Sequence, residues 1–195
     1  MKSFLKFIFY MPFTIFFRIQ CFLIGGIIIG KNLEVCGFIF LRNKGIIEIG
    51  NNVRINSCRA CNPTAGGITS IQVLKNAKIK IGNRVGISNC AITCAEHIQI
   101  GNDVNIGADT IISDTDFHSL NVEERIGRRF GQTKEIVQTK PIKIGNECFL
   151  GMRAVVLKGA DIGARTVIGA SSLVTSKIDS DSIAVGIPCK VIKSL

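Results

Sequence analysis

The sequence predicts an all-β fold, a column of about six short coils wound as a β-helix. An apolar, helical amino-terminal segment precedes it and one long excursion loop interrupts it. Three observations carry the prediction. Ile144, Leu150, Val156, Ile162, Ile168 and Val174 fall six residues apart without a slip. An even period suits the two-residue alternation of strands and not a 3.6-residue helix. Small residues (Cys148, Ala154, Ala160, Thr166 and Ser172) follow four places after the first five of these. Finally, Ile-Gly pairs open at Ile29, Ile49, Ile81, Ile100 and Ile144, each with an Asn within two residues of the pair.

Taken in order, residues 1–28 form the apolar segment and residues 29–195 the repeat domain. Seven of the 12 Phe lie before residue 23. Residues 1–24 have the length of a bilayer span, but Lys6, Pro12 and Arg18 interrupt it, and buried charge in hydrocarbon is costly. A Phe-rich stretch with a few cations fits a segment lying in the headgroup boundary of an anionic membrane. The competing expectation is a helix packed on the open end of the column or against a sister subunit. Two stretches break the repeat: residues 57–74, with Pro63 and Gly66-Gly67 as turn residues, and the charged residues 113–141. A loop as long as the second, on a rigid scaffold, is a place to look for function. The ending IAVGIPCKVIKSL drops the repeat and reads as a closing strand with a short tail.

The net charge is +10, which suits anionic lipid or a phosphorylated cofactor. Because the basic residues are scattered and no base-reading motif occurs, nucleic acid is not an expected partner. Eight Cys and no cleavable leader of the usual form point to reduced thiols in a cytoplasmic protein, peripheral on the inner membrane face if residues 1–24 bind lipid. Cys58-x2-Cys61 and Cys90-x3-Cys94 have zinc-ligand spacing. The preferred reading is that Cys serves as a small apolar wall residue in successive coils, with no metal.

There are two His. His97 reads as a strand or corner residue. His118 sits in the long excursion, in Asp114-Thr115-Asp116-Phe117-His118-Ser119. A neutral imidazole is a natural base for a hydroxyl proton, and Asp116 or Asp114 is placed to hold its tautomer. The alternative is a surface His in a polar loop.

The tandem [LIV]-G-x-x-[small]-x units, the DTDFH loop, KPIKIGNECFLGMRAVVLKGADIGARTVIGASSLVTSKI and the final GIPCKVI resemble the hexapeptide-repeat acyltransferases. Within them the similarity is to maltose and galactoside O-acetyltransferases and to O-acetyltransferases of surface-polysaccharide pathways. The resemblance implies a left-handed parallel β-helix, whereas general crossover preference favours the right hand. It implies a homotrimer with acetyl-CoA as acyl donor in the groove between prisms, a sugar or glycan acceptor, and no required metal. His118 is then the catalytic base, with Asp116 beside it. Phe149, Gly151, Met152, Ala170, Thr175 and Lys190 match positions that contact the coenzyme; Ser88 or Asn89 matches a polar position that holds the acceptor. Ser119 replaces a frequent Pro, Phe149 a frequent Trp and Lys190 a frequent Arg. The helical cap of the maltose and galactoside enzymes is replaced by the Phe-rich segment, which points to a membrane-proximal glycan or glycolipid as acceptor. Transfer from acyl-carrier protein to a lipid precursor and a non-catalytic scaffold are the alternatives. A γ-class carbonic anhydrase needs three His, and a serine acetyltransferase needs a larger amino-terminal domain.

Overall fold

Three parallel sheets form a triangular prism, each coil contributing one strand to each face. The structure, a computed structural model, describes residues 2–62, 66–129, 131 and 136–195, with residues 2–7 as backbone alone. The first face stacks Ile27–Ile29, Ile46–Ile49, Lys78–Ile81, His97–Ile100, Ile142–Ile144, Asp161–Ile162 and Lys177–Ile178. The second stacks Glu34–Cys36, Arg54–Asn56, Gly86–Ser88, Asn105–Ile106, Phe149–Leu150, Val167–Ile168 and Ser182–Val185. The third stacks Phe40–Asn43, Ser70–Val73, Ala91–Cys94, Ile111–Ser113, Val155–Leu157 and Leu173–Val174. Seven, seven and six parallel strands make six complete coils and two sides of a seventh, in line with the predicted column. Lys190–Ser194 then pairs antiparallel with Ser182–Val185, which is the expected closing strand.

The in-register rows explain the six-residue period. Ile98 stacks between Ile79 and Ile142, and Ile112 between Ile92 and Val156, all fully buried. Each inward aliphatic contributes roughly 1.5–3 kcal/mol by leaving water. The Ile-Gly-Asn signature belongs to the corner between the first and second faces. A Cβ at Gly50 would come within 2.5 Å of the Gly82 carbonyl oxygen, and one at Gly82 within 2.4 Å of the Gly101 oxygen. Glycine is therefore required for successive coils to approach at that corner. The Asn side chains bind corner to corner: the amide oxygens of Asn83, Asn102 and Asn146 accept, each at 2.8 Å, from the backbone N–H of Asn51, Asn83 and Asn102 in turn. This ladder satisfies corner N–H groups that the sheets leave unpaired.

The first excursion begins as expected but ends sooner, and the second begins one residue later, because Ser113 still belongs to a strand of the third face. Residues 70–73 of the predicted loop 57–74 form a strand of the third face, so the departure from the prism is confined to 57–69. Alternation of Ile71 and Val73, both buried, is the signal that the Gly-rich stretch before them obscured. Pro63 lies outside the described residues. The prism also starts two residues earlier than predicted, because Ile27 pairs with Ile47.

The amino-terminal helix α1 spans Lys2–Ile24, with Pro12 inside it. It lies across the first coil and buries Phe17 and Cys21. Thr14 Oγ1 accepts from the Val35 N–H at 2.9 Å, and Tyr10 donates its hydroxyl to Asn56 Oδ1 at 3.0 Å. Packing on the prism is thus realised for one side of the helix. Its other side leaves Ile8, Met11, Ile15, Ile19, Phe22 and Leu23 exposed. Among the described residues no helix is long and apolar enough to cross a membrane.

Candidate active site

The long loop leaves the prism at the edge between the third and first faces, after Ile111–Ser113. Its base is closed as a short antiparallel ladder: Thr115 bridges Thr139, the Asp116 N–H donates to the Gln138 oxygen at 3.1 Å, and the Lys140 N–H to the Asp114 oxygen at 3.0 Å. Asp114 is fully buried there and accepts from three backbone N–H groups, Ala95 at 2.6 Å and Glu96 and His97 at 2.9 Å. That is the environment of a structural anchor, since a buried carboxylate is tolerated only when its lone pairs are used.

Beyond this base the chain turns at Phe117, which holds a positive φ of 61°. Ser119, where the resemblance often has Pro, is buried and accepts the Asn121 N–H at 3.1 Å through its hydroxyl. Asn121 then caps helix α2, Val122–Arg129, its side-chain oxygen accepting from Glu123 and Glu124 at 2.8 and 3.2 Å. Acidic residues fill the first turn of α2 and Arg128 and Arg129 the last, which complements the helix dipole.

His118 is exposed at the outer side of this turn, and Arg128 returns from the end of α2 to place Nη1 3.1 Å from His118 Nδ1. A guanidinium only donates, so Nδ1 accepts and the ring proton sits on Nε2. The carboxylate expected to hold the tautomer is turned elsewhere. Asp116 Oδ2 forms an ion pair with Lys158 Nζ at 3.3 Å, while Asp114 is committed to the three N–H groups above. Arg128 and Lys158 are residues that sequence reasoning missed. The basic last turn of a loop helix was the available signal for the first; Lys158 lies in a regular repeat and offered none.

The remaining candidates fall on two edges. Phe149, about half exposed, sits on the second face between Asn105 and Val167. Gly151, Met152 and Ala170 follow around the edge between the second and third faces. A Cβ on Gly151 would approach the Ala170 N–H nitrogen within 2.5 Å, so Gly151 is fixed by coil stacking. Lys190 is exposed and pairs with Val185 at the end of the second face. Thr175 lies at the other edge, just after Leu173–Val174, one coil beyond Leu157 and Lys158.

Between α1 and the second face runs a groove of about 1080 Å³. Tyr10, Arg18, Arg54, Ser88, Asn105 and Phe149 are among its lining residues; His118 is not. Ser88 therefore faces the groove. Asn89 is buried at the next corner, where its amide nitrogen donates to the Gly67 oxygen at 2.5 Å. One chain thus brings Ser88 and Phe149 together and holds His118, Asp116 and Thr175 at a different edge.

Residues 141–176 match the family model described as bacterial transferase hexapeptide (six repeats). The galactoside O-acetyltransferase of Escherichia coli K12 is 35% identical over 98 residues, 50% of this chain and 44% of that protein. WbbJ of the same organism, named as a putative lipopolysaccharide biosynthesis O-acetyl transferase, is 25% identical over 166 residues, 84% of this chain and 80% of its own. The chain spans about half the length of curated relatives such as the first of these. Among solved structures, a point mutant of AntD, an N-acyltransferase from Bacillus cereus in complex with dTDP and coenzyme A, superposes with a TM-score of 0.65 at 25% identity, covering 85% of this chain and 83% of that one. In its repeat, its three-sided prism and these relatives, the chain is similar to the hexapeptide-repeat transferases, with residues 141–176 carrying the family's own repeat.

Proposed function

We propose that the protein is an acetyl-CoA-dependent O-acetyltransferase acting on a sugar hydroxyl in surface-polysaccharide or glycolipid biosynthesis. The observation that carries this reading is the DTDFH loop anchored by Asp114 at one edge, with a groove containing Ser88 and Phe149 on another face of the same prism. In this reading the prism is left-handed, as the family resemblance implies, and three chains associate so that the loop of one lies over the groove of the next. Phe149, Gly151, Met152 and Ala170 then wall the pantetheine arm along one edge. Lys190 offers a cation to the nucleotide phosphates, and Thr175 lies under the loop.

Chemistry follows from one proton transfer. His118 takes the proton of the acceptor hydroxyl, whose oxygen attacks the thioester carbonyl; the tetrahedral intermediate expels the coenzyme thiolate, which receives the proton from the imidazolium. No acyl-enzyme is needed once the hydroxyl is oriented, and general-base assistance is worth roughly 10²–10⁴ in rate. Because Arg128 occupies Nδ1 in the free chain, that contact must release before the imidazole can offer an unprotonated nitrogen to the acceptor hydroxyl.

The exposed face of α1 rests on an anionic membrane in this reading, with the groove beneath the same helix receiving a lipid-linked acceptor. Arg18 at the groove and Arg42 over Phe40 on the third face supply cations next to the apolar surface. The solved N-acyltransferase bound to dTDP and coenzyme A supports a second acceptor class, a nucleotide-linked amine, and the Arg-lined groove favours testing it.

The test is acceptor-dependent release of free coenzyme A, followed by chromatography, from acetyl-CoA and a panel of lipid-linked glycans, free sugars and nucleotide-linked amino sugars. Faster release with one glycan class, and an O-acetyl ester in its product, is expected. Binding of acetyl-CoA with no acceptor-dependent release would leave the scaffold reading; preference for acyl-carrier-protein thioesters would replace the donor.

A further inference from the structure

Three sulfurs from two parts of the chain meet where the first excursion leaves the prism. Cys36 ends the strand Glu34–Cys36 and is fully buried; Cys58 and Cys61 stand half-buried in the opening turn of residues 57–69. Cys36 and Cys61 are joined as a disulfide. Cys58 Sγ lies 3.3 Å from Cys36 Sγ and 3.4 Å from Cys61 Sγ, and all three sulfurs fall within 4.8 Å of one another. The pairing of Cys58-x2-Cys61 with Cys90 and Cys94 that the spacing suggested is not formed. Cys90 and Cys94 are fully buried within the prism, Cys94 Sγ beside the Lys78 oxygen and Asp114, and they serve as wall residues.

We propose that, once the disulfide is reduced, Cys36, Cys58 and Cys61 bind one soft divalent cation, of which Zn²⁺ is the representative. Thiolates around 2.3 Å from a tetrahedral zinc stand about 3.8 Å apart, so the two contacts made by Cys58, 3.3 and 3.4 Å, are within about half an ångström of that spacing. Two ligands come from one turn and the third from a rigid strand, which is the usual way a structural ion fastens a loop to a scaffold. A fourth position remains for water or another donor. The steps balance: a dithiol reductant gives two electrons and two protons to the Cys36–Cys61 bond and becomes a disulfide itself, and binding Zn²⁺ then displaces the thiol protons to solvent. The ion would fasten the turn that leads to Gly67, whose carbonyl holds Asn89 beside Ser88, so its effect reaches the groove.

The experiment uses the full chain, anaerobic and reduced with a phosphine, titrated with Zn²⁺ against a chromophoric chelator and separately with Co²⁺. We expect one equivalent per chain, a thiolate-to-cobalt charge-transfer band, and affinity at least about tenfold weaker in Cys58→Ser and in Cys61→Ser. Cys94→Ser should bind as the parent does, and the oxidised chain should not bind. Substoichiometric binding to the reduced chain, binding unchanged in Cys58→Ser, equal binding by the oxidised chain, or a disulfide that survives the phosphine would each overturn the proposal. None of these readouts depends on turnover, so the transferase reading stands or falls separately.

Discussion

Arg128 Nη1 lies 3.1 Å from His118 Nδ1, bridging the end of α2 and the turn that presents the imidazole. The contact fixes the free chain in the Nε2–H tautomer, because an arginine has no acceptor to offer. Long-range nitrogen–proton NMR on the free protein should therefore show a protonated Nε2 and an unprotonated Nδ1 for His118. Arg128→Ala should give a mixture of tautomers, and a spectrum unchanged by that substitution would remove Arg128 from this role.

Asp114 is the anchor of the loop. Asp114→Ala removes the shared acceptor of three part-buried N–H donors, and a buried donor left unsatisfied costs roughly 1–3 kcal/mol, so we expect a loss of at least about 2 kcal/mol and much faster proteolysis within residues 114–141. Asp114→Asn keeps one acceptor oxygen and should fall between. Urea unfolding and limited proteolysis measure both. Parental stability in Asp114→Ala would contradict the anchoring role.

For the amino-terminal helix, Phe22→Asp with Leu23→Asp changes residues that are 85% and 76% exposed and make no core contact. Vesicles of phosphatidylglycerol and phosphatidylcholine should pellet the parent chain, and the double variant should pellet several-fold less at equal stability. Equal pelleting, or none by the parent, would leave the exposed face to a second protein copy, which the molecular mass in solution would report.

Buried thiols give a pH dependence at the alkaline side. Burial, helped by Asp114, pushes the Cys94 thiol from 9.0 up to about 12, and burial pushes Cys21 up to about 11. Such a thiol stays protonated in the folded chain after its unfolded counterpart ionises. Its contribution is whole below pH 9 and lost as pH rises toward about 12 for Cys94 and about 11 for Cys21, stability falling by ~1.4 kcal/mol per unit for each thiol within its own window. Cys94→Ala should make the decline of the urea midpoint between pH 9 and 11 shallower; an unchanged slope would contradict the assignment.

Much of this architecture is legible in the chain alone because a repeat states its packing again in every coil. Six aliphatic residues from Ile144 to Val174 give the period, and the Ile-Gly-Asn corners give the close approach that glycine permits. Ser70–Val73 was hidden because it follows glycines and a turn, where a single short alternation does not stand out. In the loop, DTDFH marked the right segment but not the division of labour within it. Asp114, Asp116 and His118 are close in sequence, and only the third dimension sends one to backbone N–H groups, one to Lys158 and one to Arg128. Cys36, more than twenty residues from its two partners, carried no local signal at all.

The central claim is that His118 of one protomer acts at the groove of its neighbour. His118→Ala should keep acetyl-CoA binding and lose turnover by roughly 10²–10⁴, and Phe149→Asp should lose coenzyme binding. Mixed as unfolded chains and refolded one to one, the two inactive variants should recover about a quarter of parental turnover, since each site draws its imidazole and its groove from different chains. Recovery to that level is the predicted result; hybrids as inactive as either parent variant would contradict the shared site.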